Sequence, residues 1–324
     1  MTGREPSVQT AEVAEVPVDS WPSVTVVIPT HNRPQLLAAA IQSILDQDYA
    51  GPIEVLVVFD REDPVRPDVA VQGQRELRLL RNDRTPGPAG AYNVGAIAAS
   101  GDYFALCDDD DQWLPEKLRL QVEALQRRPD ALFATCGIYL GEGRAITRKR
   151  ARIPGKDVLT LRDLLSSARN ELHSSTFIVR REAMIDQVGL VDEQIPGSYG
   201  EDYDWLLRAA GVSPILAVQQ PLVWVRWKYS YFADRWPTII EAITYQLERR
   251  PELKEQPANL ARLYGRLAFA HAALGHRAET RRWARLARKL DWREQRSWLA
   301  YLVAYRLVKP QTVIRLAHAF GRGV

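Results

Sequence analysis

The 324-residue chain predicts an α/β fold, a doubly wound and mainly parallel sheet followed by an all-α C-terminal region. Three observations predict it. From Ser23 onward, short β-branched runs alternate with stretches of helical periodicity. The run Cys107-Asp108-Asp109-Asp110-Asp111 closes the apolar stretch Tyr103-Phe104-Ala105-Leu106, which puts four carboxylates at the end of a strand, where ligands of such sheets collect. Beyond Phe232 the pattern reads helical, with breaks at Pro251, Pro257, Gly275 and Pro310.

The elements follow in order. Val24-Thr25-Val26-Val27-Ile28 is a first strand stopped by Pro29, and residues 34–47 form a helix opened by Pro34. Residues 53–59 are a second strand and 77–80 a short third. A helix rich in small residues spans 90–100, and a fourth strand spans 103–107. A helix over 114–127 and a strand over 132–140 complete the doubly wound part. Residues 141–156 are basic, contain Gly and Pro and lack apolar periodicity, so a flexible loop is expected there. A helix over 161–168, a strand over 175–180, a helix over 205–210 opened by Gly197 to Asp204, and an extended stretch over 215–227 come next. Residues 260–274 and 278–290, joined across Gly275-His276, form a helical hairpin.

This length suits two structural units, and 46% hydrophobic residues suffice for an ordinary core. We divide the chain into a flexible N-terminal segment (1–22), an α/β catalytic domain (23–230) and a basic helical domain (231–324). The first segment is polar and lacks a basic start followed by an apolar core, unlike a signal peptide. The longest apolar candidate, residues 298–308, is too short to span a membrane and contains Arg306. Cys107 and Cys136 read as small buried hydrophobes in a reducing compartment. A cytoplasmic protein is expected, at most peripheral at the inner membrane face.

The net charge of +3 hides an asymmetry. Residues 260–324 carry 14 Lys and Arg against 3 Asp and Glu, a net of +11, which leaves 29 against 37, or −8, for the first 259. Nucleic acid is not expected as a partner. Trp283, Trp292, Trp298 and Tyr301 interleave with the positive charge, which suits contact of the C-terminal helices with a polyanionic acceptor, an anionic membrane or a second subunit in a homodimer, and equally suits burial against the catalytic domain.

Four adjacent carboxylates repel one another and call for a cation, and hard divalent ions such as Mg²⁺ or Mn²⁺ prefer an all-oxygen site. The alternative is an acidic loop that caps the helix after it, although a cap needs one Asp and not four. Thr30-His31-Asn32-Arg33 falls at the same carboxyl edge of the predicted sheet.

Four motifs occur in register: Val26-Val27-Ile28-Pro29-Thr30-His31-Asn32-Arg33, Ala91-Tyr92-Asn93-Val94-Gly95, Asp108-Asp109-Asp110-Asp111-Gln112-Trp113, and Gly200-Glu201-Asp202-Tyr203-Asp204. In order and spacing they resemble the inverting family 2 glycosyltransferases of the GT-A fold, a Rossmann-like sheet, over roughly Ser23 to Trp227. The resemblance implies transfer of a sugar from a nucleotide-diphosphate sugar to an acceptor hydroxyl on a glycan, lipid-linked, natural-product or peptide acceptor. By the family's Asp-x-Asp pattern Asp110, with Asp108, would hold Mn²⁺ or Mg²⁺ on the diphosphate. Pro29, Thr30, Asn32, Arg33, Asp60, Asn93, Asp108 and Asp109 would line the nucleotide-sugar site, with Thr30 and Asp60 on the base or ribose and Arg33 near the phosphates. The family's acidic pair at a helix head is Glu201-Asp202, with Asp202 the general base and Glu201 second. Asp111 orients a loop or a bound water, takes a direct role, or caps the helix near Pro115, and Asp204 reads as a cap. Tyr92 stands where the family commonly has Arg, and lines the donor or belongs to the core.

Two further departures matter. Phe59-Asp60-Arg61-Glu62 replaces the Asp-Asp-Gly-Ser common after the second strand, and Val225-Arg226-Trp227-Lys228 lacks the His often found there. Arg226 or Lys228 then takes over contact with the diphosphate. His173 reads as a wall of the acceptor site. A Ser–His nucleophile at His173-Ser174 is not expected, because no acid orients it and covalent catalysis would retain configuration. Two other readings remain from the sequence: an inactive glycosyltransferase-like scaffold protein, and a nucleotidyltransferase, although the Gly-rich triphosphate loop of the latter is absent after the first strand.

Overall fold

The structure is a computed structural model that describes residues 21–141, 151–166, 172–226, 232 and 234–319. The expectation of a flexible segment over 1–22 lies almost wholly outside the described residues. In chain order the elements open with strand β1 (Val24–Thr30), helix α1 (Pro34–Leu45), β2 (Ile53–Phe59), β3 (Arg75–Arg81), α2 (Pro88–Ala98), β4 (Tyr103–Leu106), β5 (Gln112–Trp113) and α3 (Lys117–Arg127). There follow β6 (Phe133–Gly141), β7 (Ala151–Arg152), β8 (Val158–Leu159), α4 (Leu161–Ser166), β9 (Ile178–Arg180), the short α5 (Arg181–Ala183), α6 (Glu201–Val212) and β10 (Ile215–Arg226). Helices α7 (Trp236–Arg249), α8 (Pro257–Ala273), α9 (Arg277–Leu290), α10 (Gln295–Ala304) and α11 (Pro310–Ala319) close the chain.

One sheet runs in the order β3-β2-β1-β4-β9-β6-β10-β5. Strands β3, β2, β1 and β4 are parallel, as expected of a doubly wound half, and so are β6 and β10. The antiparallel β9 is inserted between β4 and β6. Pro29 does not stop β1. Backbone groups alternate sides along a strand, and Val27 turns its carbonyl to Cys107 while Thr30 accepts from Asp60 on the β2 side. The proline nitrogen therefore faces the β4 side, where pairing has already ended at Val27 and Leu106, and its missing N–H forfeits no ladder bond. Within the expected loop over 141–156, Ala151 and Arg152 instead pair with β6 as β7, and 142–150 lie outside the described residues.

Alternation along the strands feeds two cores. Val24, Val26 and Ile28 of β1 pack with Leu37, Ile41 and Ile44 of α1 and Leu118 and Val122 of α3 on one face. Val27, Leu56 and Val58 meet Ala91 and Tyr92 of α2 and Trp205 and Leu206 of α6 on the other. That second core continues without a break into Ile239, Ile243 and Leu247 of α7 and Leu263 and Leu267 of α8. A third, smaller cluster joins α8, α9, α10 and α11 through alanines and Phe269. Gly95 permits the closest approach of α2 to β1, since a Cβ there would lie 2.4 Å from a Val27 methyl.

Candidate active site

The carboxyl ends of β1, β2 and β4 and the head of α6 converge on one cleft of about 1010 Å³, roofed by α7, α8 and α10. Beyond β4 the acidic run makes a tight loop in which each carboxylate has its own holders. Asp108 accepts from the Tyr92 hydroxyl at 2.5 Å and from Ser174 Oγ at 3.1 Å. Asp109, almost fully buried, accepts from Thr30 Oγ1 at 2.9 Å and from Arg33 at 3.0 Å. Asp110 shares that same guanidinium at 3.0 Å. Asp111, fully buried, accepts from Ser175 Oγ at 2.6 Å and from the Arg226 backbone N–H at 3.0 Å. Asp111 thus does not cap the next helix: it ties the acidic loop to the turn at Ser174–Thr176 that leads into β9 and to the end of β10.

Burial raises the Asp109 carboxyl to about 6 and the Asp111 carboxyl to about 7. Asp110 is raised by burial and then by Asp108. Arg33 sits at the N-cap of α1 without capping it, so its side chain is left to bridge Asp109 and Asp110. Burial works against its charge, but the two carboxylates hold its pKa above the ordinary value. One Arg against four acids leaves a deficit of positive charge.

His173 stands over the acidic loop, with Nδ1 3.3 Å from Asp111 and Nε2 3.9 Å from Asp108. Burial disfavours the imidazolium, yet Asp111 and Asp108 raise its pKa. The sequence-based statement that no acid orients His173 is corrected here: the fold brings two carboxylates to it from 62 or more residues away along the chain. Ser174 donates to Asp108 rather than standing free as a nucleophile. One ligand atom each from Asp108, Asp111 and His173 lie within 4.8 Å of one another. Two oxygens and an imidazole nitrogen beside an uncompensated negative charge fit a divalent metal ion. Asp110 stands outside that trio, on Arg33.

Glu201 and Asp202 open α6, behind Gly200 in the left-handed conformation, and both face the cleft. Burial raises both carboxyls. Repulsion by Asp202 adds to the rise in Glu201, whereas His173 pulls Asp202 back. Asp204 is not a cap but a buried tie, ion-paired to Arg208 at 3.0 Å and to Arg250, the residue that closes α7, at 2.5 Å.

Among the sequence-predicted residues, Pro29, Thr30, Arg33, Asp60, Asp108, Asp109, Asp110, His173, Glu201 and Asp202 line this one cleft. Asp60 Oδ1 accepts from Asn82 and from the Gly87 N–H at the start of α2. Asn32, Asn93 and Arg226 are not among the residues that line the cleft. Asn32, at positive φ, donates its backbone N–H to Glu62, and the buried Asn93 spends its amide on Val191 and Glu193. Asn93 therefore fixes the loop before α6 rather than the donor site. Lys228 lies outside the described residues. Residues the sequence reading passed over are Tyr92 and Ser175 as holders of the acidic loop, and Arg262, Arg266 and Arg296 on the roof. The spacing of Arg262 and Arg266, one turn apart on an apolar helix, was the available signal.

The family model described as glycosyl transferase family 2 matches residues 25–187, half of the chain. The chain belongs to that family. Among its curated relatives is the UDP-Glc:alpha-D-GlcNAc-diphosphoundecaprenol beta-1,3-glucosyltransferase WfgD of Escherichia coli, 32% identical over 102 residues, covering 32% of this chain and 40% of the relative. The succinoglycan biosynthesis protein ExoO of Rhizobium meliloti is 37% identical over 107 residues, covering 33% of this chain and 30% of ExoO. The chain thus spans well under half the length of these family 2 relatives. In fold it resembles S. aureus TarS 1-349 in complex with UDP-GlcNAc, at 16% identity and a TM-score of 0.53 over 89% of this chain and 92% of TarS 1-349. It also resembles the mannosyltransferase PcManGT from Pyrobaculum calidifontis in complex with GDP-Man and Mn²⁺, at 18% identity and 0.52 over 96% and 88%. These likenesses support the GT-A type of sheet for this family 2 member.

Proposed function

We propose that this family 2 chain is an inverting glycosyltransferase that moves a sugar from a nucleotide-diphosphate sugar to an acceptor hydroxyl. The observation that carries this is the meeting of the Asp108 to Asp110 run and the Glu201–Asp202 pair in one cleft. The nucleoside lies against Pro29, Thr30 and Asp60, and Arg33 is placed to turn from Asp109 and Asp110 toward the phosphates. Asp108 and Asp110 are our ligands for Mn²⁺ or Mg²⁺. The trio geometry supports Asp108, and the burial-raised Asp110 loses its partner once a diphosphate draws Arg33 away. A divalent ion there would neutralise the charge that gathers on the leaving nucleoside diphosphate. Arg226, whose charge already lowers the Asp110 pKa, adds to that neutralisation. Asp202 takes the proton of the acceptor hydroxyl as its oxygen attacks the anomeric carbon from the side opposite the diphosphate, which inverts that centre. Glu201 supports it, and His173 walls the acceptor side. Release of nucleoside diphosphate from a panel of nucleotide sugars tests the reading, and wild-type and Asp202→Asn proteins releasing it equally would remove the base.

The C-terminal helices supply the contact surface of this reading. Trp292 and Trp298 are 67% and 50% exposed, and Arg293 and Arg288 stack on them at 5.3 and 4.5 Å. Seating at the cytoplasmic face of an anionic membrane suits that mixture of aromatic and positive groups. Among the described residues no helix is long and apolar enough to cross a membrane.

A further inference from the structure

The roof of the cleft carries charge that the transfer step does not use. Arg262 and Arg266 stand one turn apart on α8, Arg296 lies in the first turn of α10, and all three line the cleft. Gly265 brings the two helices together, since a Cβ there would lie 2.9 Å from the Glu294 side chain at the N-cap of α10. Arg296 pairs with Glu294 at 3.2 Å and Arg262 donates to Asn259 at 3.0 Å, while Arg266 Nε is buried with no hydrogen-bond partner. Neither Arg262 nor Arg266 makes an ion pair among the described residues. Burial lowers the pKa of both Arg262 and Arg296, and repulsion by Arg266 lowers them further.

Crowding three partly buried guanidinium groups costs folding free energy, and Glu294, ion-paired to Arg296, offsets only part of it, so a further anion would compensate the rest. The fork of each guanidinium matches two oxygens of a phosphate, and several converging forks favour a doubly charged group over a carboxylate. We propose that Arg262, Arg266 and Arg296 bind a phosphate group carried by the acceptor, so that the acceptor class is a phosphate ester or diphosphate ester. This inference rests on the transfer reading for the word acceptor, but the anion site itself does not. The phosphate anchors on α8 and α10 while the hydroxyl end of the same molecule reaches Asp202.

Calorimetric titration of the full chain in EDTA tests it, because without a divalent ion the Asp108 to Asp111 run repels anions and the roof remains the attractive site. The probes are farnesyl diphosphate, glucose 1-phosphate and the neutral methyl glucoside. At least one phosphate probe should bind the wild type, and Arg262→Gln with Arg266→Gln should weaken it by about tenfold or more, the worth of a charged hydrogen bond. Arg266→Lys should keep part of the affinity. Preference for farnesyl diphosphate marks a lipid-linked source and preference for glucose 1-phosphate a glycan phosphate. Circular dichroism checks the fold, and the single Arg266→Gln protein replaces the double variant if the latter does not fold. Binding equal in wild type and variant, or no phosphate binding by the wild type at millimolar concentration, overturns the proposal. Nucleotide-sugar binding measured separately with Mn²⁺ keeps the readings apart: its absence alongside an Arg-dependent phosphate site sinks the donor reading only.

Discussion

Asp202 gains its interest from its neighbours: burial lifts its carboxyl above the ordinary range while His173 restrains the rise. A base acts only when ionised, so turnover should climb with pH through this raised pKa and fall away below it. Asp202→Asn should lower turnover by roughly a hundredfold to ten-thousandfold, the span of general base groups, with donor affinity nearly unchanged. If Glu201→Gln is the dead enzyme and Asp202→Asn is active, the base sits one residue earlier. Asp110→Asn should abolish the Mn²⁺ dependence of donor titrations. Should that dependence survive in Asp110→Asn and vanish in Asp111→Asn, the ion sits instead on the Asp108, Asp111 and His173 trio. The acidic run stood out because contiguous carboxylates carry their own electrostatic signature, whereas the Glu201–Asp202 pair stood out only through its resemblance to the family's acidic pair. Tyr92, Ser174 and Ser175 were not, since a hydroxyl is informative only once the fold has set it against a carboxylate. Asn93 misled for the same reason: its amide is satisfied by Val191 and Glu193, about a hundred residues away.

At the scale of elements, α6 presents its acidic head to the cleft because Asp204 anchors the helix to α7. Its buried carboxylate holds both Arg208 and Arg250. Asp204→Ala leaves two partly buried guanidinium groups facing each other and should destabilise the protein by about 3–5 kcal/mol in urea unfolding. A loss below 1 kcal/mol would show that water replaces the carboxylate without harm. The local runs of β1, β2, β4, β6 and β10 were readable from β-branched residues and period alone. The insertion of β9 between β4 and β6 was not, because strand order is decided by pairing across the sheet and leaves no local pattern. The same limit explains β1 running through Pro29, where tolerance depends on which neighbour has already ended.

For the whole molecule, the continuity of one apolar core from the sheet into α7 and α8 makes the C-terminal helices part of the active-site cleft rather than an appendage. The charge asymmetry between the two parts of the chain suggested a different partner for the basic part, but which arginines turn inward depends on the packing of α10 against α8 at Gly265. On the outer side, co-sedimentation with anionic vesicles should be strong at low salt and should weaken as ionic strength rises. Trp292→Ala with Trp298→Ala should reduce it, and equal pelleting with neutral and anionic vesicles would remove the electrostatic part. The central claim is that the cleft takes a nucleotide-diphosphate sugar with a divalent ion. Thermal unfolding of the full chain against a panel of UDP, GDP and dTDP sugars, with Mn²⁺ or with EDTA, tests it most directly. At about a hundred times its dissociation constant the right donor should add roughly 2.7 kcal/mol of stability. That gain should appear with Mn²⁺, disappear with EDTA, and persist in Asp202→Asn. A chain that no nucleotide sugar stabilises under either condition would contradict the claim.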